Sequence, residues 1–514
     1  MRNIADQFLV KGMIILQTKL NLSAHKTIIV ALLAFVVLTG FTVPIMYNQY
    51  ETQKQISSQT EAYAQQLQEQ ERQQAIRDQQ TEDAVSALQD KADKDSYNQG
   101  NTSFADKEYL QAIEWYKKIT SKNAVDYQIA QDQIKKSTTE MYSYYLAQAE
   151  VVSKQGDYKE AIRLLTDMSV YYLDDAQIKN DLQKYREAEI GLVAYDGPIE
   201  HIFFHPLLAY PSLTFDGDAD SNGFNQYFVT VSEFEKIIDQ IYANNYMLID
   251  FNALYDEKLE DGKTVLVQKE LKLPPNKKPL ILSVDDVNYP DYKSTNGTIS
   301  KLVLDSDGNV ATYSVAQSGE NPSHDNEVIP IIDAFVDKHP DFSFQGAKGI
   351  LAFTGYYGIL GYNTNKLDSP SYLEERQSAL AIIKRLKETG WTFASHGYSH
   401  LDARAVSYQS LEEDTLRWKK EVGSLIGPTN IYVYPYGSSV LPGNPKFQFL
   451  LDQGFNLLCS VGPAPYLKDA TDYMMMDRRH IDGIALYNQE AILKNLFDAK
   501  SVLDPVRPPL MAGS

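Results

Sequence analysis

Leu280-Ile-Leu-Ser-Val-Asp285-Asp286-Val-Asn-Tyr289 reads as a buried apolar strand that ends in two adjacent carboxylates. A strand this apolar is covered on both faces, as in a parallel sheet flanked by helices. At the carboxyl end of a barrel strand such residues stand where functional groups collect. Neighbouring side chains on an extended chain point in different directions, so the two carboxylates can take different jobs. The plain alternative is a turn that happens to carry Asp-Asp. Outward from this stretch, further strand-length apolar runs cover 199–204, 246–251, 349–353, 392–395, 430–434, 455–461 and 480–485. Helical patterns lie between them at 232–243, 327–338, 371–389, 409–426 and 445–453. The alternation predicts an α/β domain with a distorted (β/α) barrel. Residues 301–314, with Asp307-Gly308 between two alternating runs, read as an inserted hairpin.

Two more strands end in polar residues. Trp391-Thr-Phe-Ala-Ser-His396-Gly-Tyr-Ser-His400 closes on two histidines four apart. If the loop turns helically they share a face and can hold one ion. Histidine accounts for only 8 of 514 residues, so chance placement at a strand end is uncommon. His201 and His205 have the same spacing but lie along a predicted strand, where four residues span about 13 Å. They cannot share an ion there; His201 fits a structural role, and His205, before Pro206, can face the site. The third strand ends Tyr434-Pro435-Tyr436-Gly437, a turn that exposes a backbone N–H beside an aromatic ring.

In this order the three motifs resemble the polysaccharide deacetylase family. His205 before a proline, Val231-Ser232 opening a helix that contains Phe234, and Asn245-Tyr246-Met-Leu-Ile249 resemble its poly-N-acetylglucosamine deacetylase branch. The resemblance spans roughly residues 200–487. It implies that Asp285 is the general base and that Asp286, His396 and His400 bind a divalent metal, zinc first, with Co2+, Ni2+ or Mn2+ as other possibilities. It implies that Tyr436 offers its backbone N–H to an oxyanion. For the general acid there are two candidates, His480 (in Arg478-Arg479-His480-Ile-Asp482) and His205. Two residues depart from the family pattern: Gly397 replaces the usual Ser or Thr after the first histidine, and Val433 replaces an Arg that steadies the base in many members.

The expected substrate is an N-acetylated glycan, and four tyrosines near the motifs, Tyr289, Tyr398, Tyr434 and Tyr436, are candidates to stack on sugar rings. A second reading keeps the barrel as a degenerate, catalytically inactive sugar-binding or scaffolding protein of the cell envelope. The net charge of −20 and the lack of a basic stripe exclude a nucleic-acid partner. The single cysteine, Cys459, lies in an apolar run and reads as core, which removes disulfide and thiolate-zinc frameworks.

The amino-terminal third supplies the setting. Residues 27–46 are 20 uncharged, mostly apolar residues, long enough to span a bilayer. Arg2, Lys11, Lys19 and Lys26 precede them, so the positive-inside rule keeps that end cytoplasmic and puts the rest outside. The expected organisation is a cytoplasmic tail over 1–26, a single transmembrane anchor over 27–47 and a polar helical stalk over 48–95. An all-α module over 96–195 follows, then the barrel over 196–490 and a tail over 491–514. Within the module, Gly156-Asp157-Tyr158-Lys-Glu-Ala161 resembles a tetratricopeptide turn, and Tyr109-Leu-Gln-Ala112 is its weaker echo. Such a module is a spacer or a dock for a protein partner.

Overall fold

The computed structural model describes residues 43–120, 125–260, 262–315 and 322–511. The predicted anchor and the tail before it lie almost wholly outside the described residues. Among the described residues, no helix is long and apolar enough to cross a membrane. The chain divides into two compact units, one made of residues up to Thr102 with Trp115–Asp132, the other of Ser103–Glu114 with Gln133–Ser514.

Helix α1 (Val43–Ala105) runs 63 residues without a break. A helix that is polar all round needs support from its own surface, and here i,i+4 side-chain bonds such as Gln73–Glu69, Gln74–Asp78 and Gln79–Asp83 supply it. Near its end Gly100 lets the Tyr116 ring lie against the helix backbone, where a Cβ would clash at 2.4 Å.

Four further helices follow: α2 (Tyr109–Tyr116), α3 (Val125–Lys154), α4 (Tyr158–Ser169) and α5 (Ala176–Ile190). Gly156, at φ +74°, turns the chain out of α3, and Asp157 caps α4 by accepting from the Glu160 N–H at 3.1 Å. Ala161, Leu165 and Met168 of α4 pack with Met141, Tyr145 and Ala149 of α3 in a core of their own.

The large unit holds a closed parallel barrel. Its strands are β1 (Glu200–Phe204), β3 (Lys278–Asp285), β4 (Gly349–Phe353), β5 (Trp391–Ser395), β6 (Ile431–Val433), β7 (Leu457–Val461) and β8 (Met474–His480), with β2 (Tyr246–Leu248) attached outside the ring. Pairing runs β4-β5-β6-β7-β8-β1-β3 and closes from β3 to β4. The ring therefore has seven strands. The eight-residue β3 explains the eighth: its first three residues pair with β2 and its last three with β4, along one edge. Helices α6 (Val231–Ala243), α7 (Val328–Lys338), α8 (Tyr372–Glu388), α9 (Tyr408–Trp418) and α10 (Pro445–Asp452) cover the outside. Alternate residues sort the core into two layers. Ile281, Ile350, Ala352, Ala394, Val433, Cys459, Met474 and Met476 belong to the inner cluster, whereas Leu280, Leu282 and Val284 pack outward among helix residues.

Three elements differ from the sequence reading. The last barrel strand is Met474–His480, not 480–485; Asp482 ends it by capping the next short helix through the Ala485 N–H at 2.8 Å. A hairpin, Tyr255–Glu260 with Lys263–Gln268, was hidden by its charge. The carboxyl-terminal segment, expected as a tail over 491–514, returns to the barrel. There Arg507, fully buried, donates to both carboxylate oxygens of Glu233 at 2.6 Å and to Asn225 and Phe228 carbonyls. Glu233 at the same time closes the capping box of α6 with Thr230. The inserted hairpin at 301–313 is as expected.

Arg507→Ala would strand the Glu233 carboxylate in the core, and losing one partner of a buried pair costs about 3–5 kcal/mol. Urea unfolding is expected to show a loss of that order, with Arg507→Met plus Glu233→Met restoring part of it. A second prediction concerns Glu327, buried at the start of α7, where it accepts from the Leu207 and Val328 N–H groups. Burial, only partly offset by those bonds, pushes its carboxyl up to about 8 from an ordinary 4.5. A raised carboxyl favours the fold below the unfolded value, and that stability is lost as pH rises through the folded one. Relative to Glu327→Gln, the wild type should lose stability steadily between about pH 4.5 and 8; parallel curves across that window would refute this.

Candidate active site

Four strand ends meet at the carboxyl face of the barrel. Asp285, the last residue of β3, points inward and is met by Arg478, two residues before the end of β8. Two parallel bonds join them, Nη1 to Oδ1 at 2.7 Å and Nη2 to Oδ2 at 2.9 Å, with both side chains buried. The guanidinium also donates to Ser283 Oγ at 3.1 Å and lies 4.1 Å over the Phe203 ring. Burial alone would raise the Asp285 carboxyl; Arg478, and then His396, outweigh it and hold it below the usual carboxylate range.

Asp286, next in the chain, takes the left-handed backbone (φ +58°) and leaves the barrel interior. Its Oδ1 accepts from Thr354 Oγ1 at 3.3 Å, and buried Lys293 bonds its carbonyl oxygen at 3.4 Å and Asn288 Oδ1 at 3.3 Å. Burial works against its charge, but Lys293, His400 and His396 prevail and keep it ionised well below the ordinary value.

His396 follows β5. Its Nδ1 donates to the Val433 carbonyl at 2.8 Å, which fixes the tautomer and leaves Nε2 as a free lone pair, 3.7 Å from Asp285. His400, at φ +55°, turns back so that the two imidazoles stand 4.8 Å apart. Burial lowers both histidines and so favours the neutral rings that can ligate. One ligand atom from each of Asp286, His396 and His400 falls within 4.8 Å of the others. Two imidazole nitrogens and a carboxylate oxygen, already neutral or ionised as ligation demands, suit a divalent ion of the zinc type.

Gly397 is explained by the same loop. It sits at φ +66°, and a Cβ would stand 3.0 Å from Asp414 Oδ2. Asp414, from α9, accepts the Tyr398 N–H at 2.7 Å and the Ser399 N–H at 2.8 Å. A carboxylate from a neighbouring helix thus staples the turn that carries both histidines.

The remaining sequence candidates separate. His205, half-buried after β1, donates from Nδ1 to the Tyr227 carbonyl at 3.0 Å and lies within the fields of Asp285 and Asp286. His480 is held at both nitrogens, by Asp482 at 2.7 Å and by the Gln489 amide at 2.8 Å. Burial would lower it, but the Asp482 bond wins and raises its pKa. His201 is buried against Ser283 and the Phe251 ring, a structural position. Tyr436 is 72% exposed at φ +59°, with its ring 4.4 Å from that of His400. Tyr289, Tyr398 and Tyr434 are buried, so they offer no face to a sugar. Arg478, Asp414 and Lys293 were not anticipated. The one signal in sequence was Arg478 itself, a cation on the inward alternation of Met474 and Met476.

Residues 363–442 match the family model for polysaccharide deacetylase. That stretch contains His396, His400 and Tyr436. Among solved structures, a Streptococcus pyogenes deacetylase, PplD, in complex with acetate is 13% identical over 59% of this chain and 99% of its own, with a TM-score of 0.34. A Mycobacterium smegmatis protein proposed to be a polysaccharide deacetylase is 16% identical over 29% of this chain and 44% of its own, at 0.20. No curated protein matches.

Asp414→Asn keeps the shape but weakens the staple on the histidine turn. Partners behind metal ligands typically contribute 10–100-fold in affinity. Zinc competition with a chelator is expected to show a loss in that range with an unchanged circular dichroism spectrum.

Proposed function

We propose that this chain is a metal-dependent polysaccharide N-deacetylase, anchored in the cell membrane with the barrel on the extracytoplasmic side. The observation that carries the reading is the convergence of Asp286, His396 and His400 beside a second carboxylate, Asp285, fixed by Arg478. The polysaccharide deacetylase match over 363–442 supports the same chemistry and an acetylated glycan as the substrate class. The lysine-led apolar run at 27–46 supports the anchor, and the helical module is left as the surface for a protein partner.

In this reading Asp286, His396 and His400 hold a divalent ion, Zn2+ first. Such an ion polarises an amide carbonyl and makes water more acidic. Asp285, kept ionised and oriented by Arg478, takes a proton from the attacking water. The hydroxyl adds to the acetamide carbon, and the Tyr436 N–H offers a donor to the oxygen as it gains charge. The C–N bond then breaks, the sugar nitrogen takes a proton, and acetate leaves. His205 is the better acid than His480: its Nε2 is free and it lies within the field of the two carboxylates, whereas both nitrogens of His480 are engaged. The account of Gly397 by Asp414 removes one ground for an inactive relative.

Acetate release from acetylated chito-oligomers and peptidoglycan by the full chain in detergent tests the reading. Release should require zinc or cobalt, stop with chelator, and fall by about 10²–10⁴-fold in Asp285→Asn. His396→Ala should abolish it. His205→Ala should cost far more than His480→Gln. Release that survives the chelator and His396→Ala would sink the proposal, and bound glycan without turnover would favour the inactive sugar-binding protein.

A further inference from the structure

The chain just after the two aspartates of β3 holds a buried lysine that no step of the reaction uses. Lys293 lies in the short helix Asp291–Thr295. Its Nζ donates to the Asp286 carbonyl oxygen at 3.4 Å and to Asn288 Oδ1 at 3.3 Å. Asn288 Nδ2 donates in turn to Thr354 Oγ1 at 3.1 Å, and Thr354 Oγ1 to Asp286 Oδ1 at 3.3 Å. Asn288 and Thr354 are also buried. Thr354 comes directly after β4, which pairs with the end of β3, so the bonds cross to the neighbouring strand and return to the carboxylate.

The direction of this chain of bonds is fixed at each step. Lysine brings only donors, so the oxygen of the Asn288 amide faces Lys293 and its NH2 faces Thr354. Thr354 Oγ1 accepts from that NH2 and keeps one hydrogen, which goes to Asp286 Oδ1. Turning any one bond round would set donor against donor. The backbone holds both ends: the Asp286 N–H donates to the Ala352 carbonyl at 3.2 Å and the Asn288 N–H to the Asp286 carbonyl at 2.8 Å. Stability alone does not call for a lysine here, because a buried amine costs more than an apolar side chain of similar length. What the arrangement does is commit one oxygen of Asp286 and leave the other.

We propose that Lys293, Asn288 and Thr354 are positioning residues that fix the carboxylate of Asp286, so that it grips the ion through one oxygen and a coordination position stays open. The proposal rests on the metal site of the deacetylase reading and not on its substrate. A carboxylate free to turn could bring both oxygens to the ion and fill the position that a catalytic site keeps open. Groups behind a metal ligand orient it in this way, and bonds linked in one direction inside a protein strengthen one another.

The test uses the full chain in detergent. Zinc competition with a chelator gives affinity, and the visible spectrum of bound Co2+ reports coordination geometry. Thr354→Val keeps the shape and removes the hydroxyl; it should lower zinc affinity about 10–100-fold and alter the Co2+ spectrum. Thr354→Ser, which restores the hydroxyl, should recover both. Lys293→Met should act in the same direction, and Lys293→Met with Thr354→Val should lose little more than the worse single variant, because linked groups are not additive. Zinc affinity and a Co2+ spectrum unchanged in Thr354→Val overturn the proposal and leave the deacetylase reading standing, and so do additive losses in the double variant. The expected losses with no acetate released by the wild type keep the positioning residues and defeat the deacetylase. A wild type that binds neither ion defeats both.

Discussion

The buried pairing of Asp285 with Arg478 is the constraint on which the rest of the site depends. A carboxylate at the inner end of β3 cannot stay charged among Ile281, Ala352, Val433 and Cys459 without a partner. The guanidinium needs space to enter, and small residues along the inner face, Ser283, Ala352, Ala394 and Cys459, leave it. Ser283 also gives it a hydrogen-bond acceptor, and Phe203 a ring face. An isolated pair like this contributes little net stability, because desolvation offsets the attraction. Its value is orientation: two parallel bonds fix the plane of the carboxylate. With that plane fixed, His396 Nε2 stands at a defined 3.7 Å from it.

The neighbouring carboxylate is sent elsewhere by backbone conformation. Asp286, Tyr289, His400 and Tyr436 are all non-glycine residues with positive φ, and Gly397 joins them. Each left-handed residue costs about 1 kcal/mol or more, so such a concentration persists only where surrounding bonds overdetermine it. Here they do. Asp414 takes two N–H groups of the histidine turn, the Tyr398 carbonyl takes two from the β4 loop, and the Val433 carbonyl holds His396. The barrel supplies depth and the loops supply direction, and neither alone would bring a carboxylate and two imidazoles together.

This division also explains what was legible in the sequence. Polar residues at the ends of apolar runs stand out against a core that should reject them, which is why Asp285, Asp286, His396 and His400 could be picked out. Their partners could not. Arg478 is 193 positions from Asp285, and nothing local says which of seven strands lies opposite β3. Asp414 looks like any acidic residue on an amphipathic helix until the helix packs on the turn. The tyrosines were misjudged for the same reason: Tyr289, Tyr398 and Tyr434 are near the motifs in sequence but turned into the core, whereas Tyr292 and Tyr357 are turned out. The last strand lies before 480–485 and carries two arginines: the barrel interior accepts Arg478 beside Asp285, and an ion pair with Glu200 accepts Arg479.

The two histidines considered for the acid show how environment separates chemically identical groups. An acid must give its proton to the leaving nitrogen, so it needs an unoccupied ring nitrogen and a pKa low enough to release it. His480 fails on both counts: Asp482 and Gln489 occupy its nitrogens, and the Asp482 bond stabilises the cation. His205 meets both. Its Nδ1 is held by the Tyr227 carbonyl, its Nε2 is left without such a bond, and burial makes its cation the weaker holder of a proton. Asp285 and Asp286 offset that burial only in part, so the surroundings on balance favour the neutral ring. If the deacetylase reading holds, the two aspartates that would serve the water and the ion are also the charges that favour the protonated form of this acid against its burial.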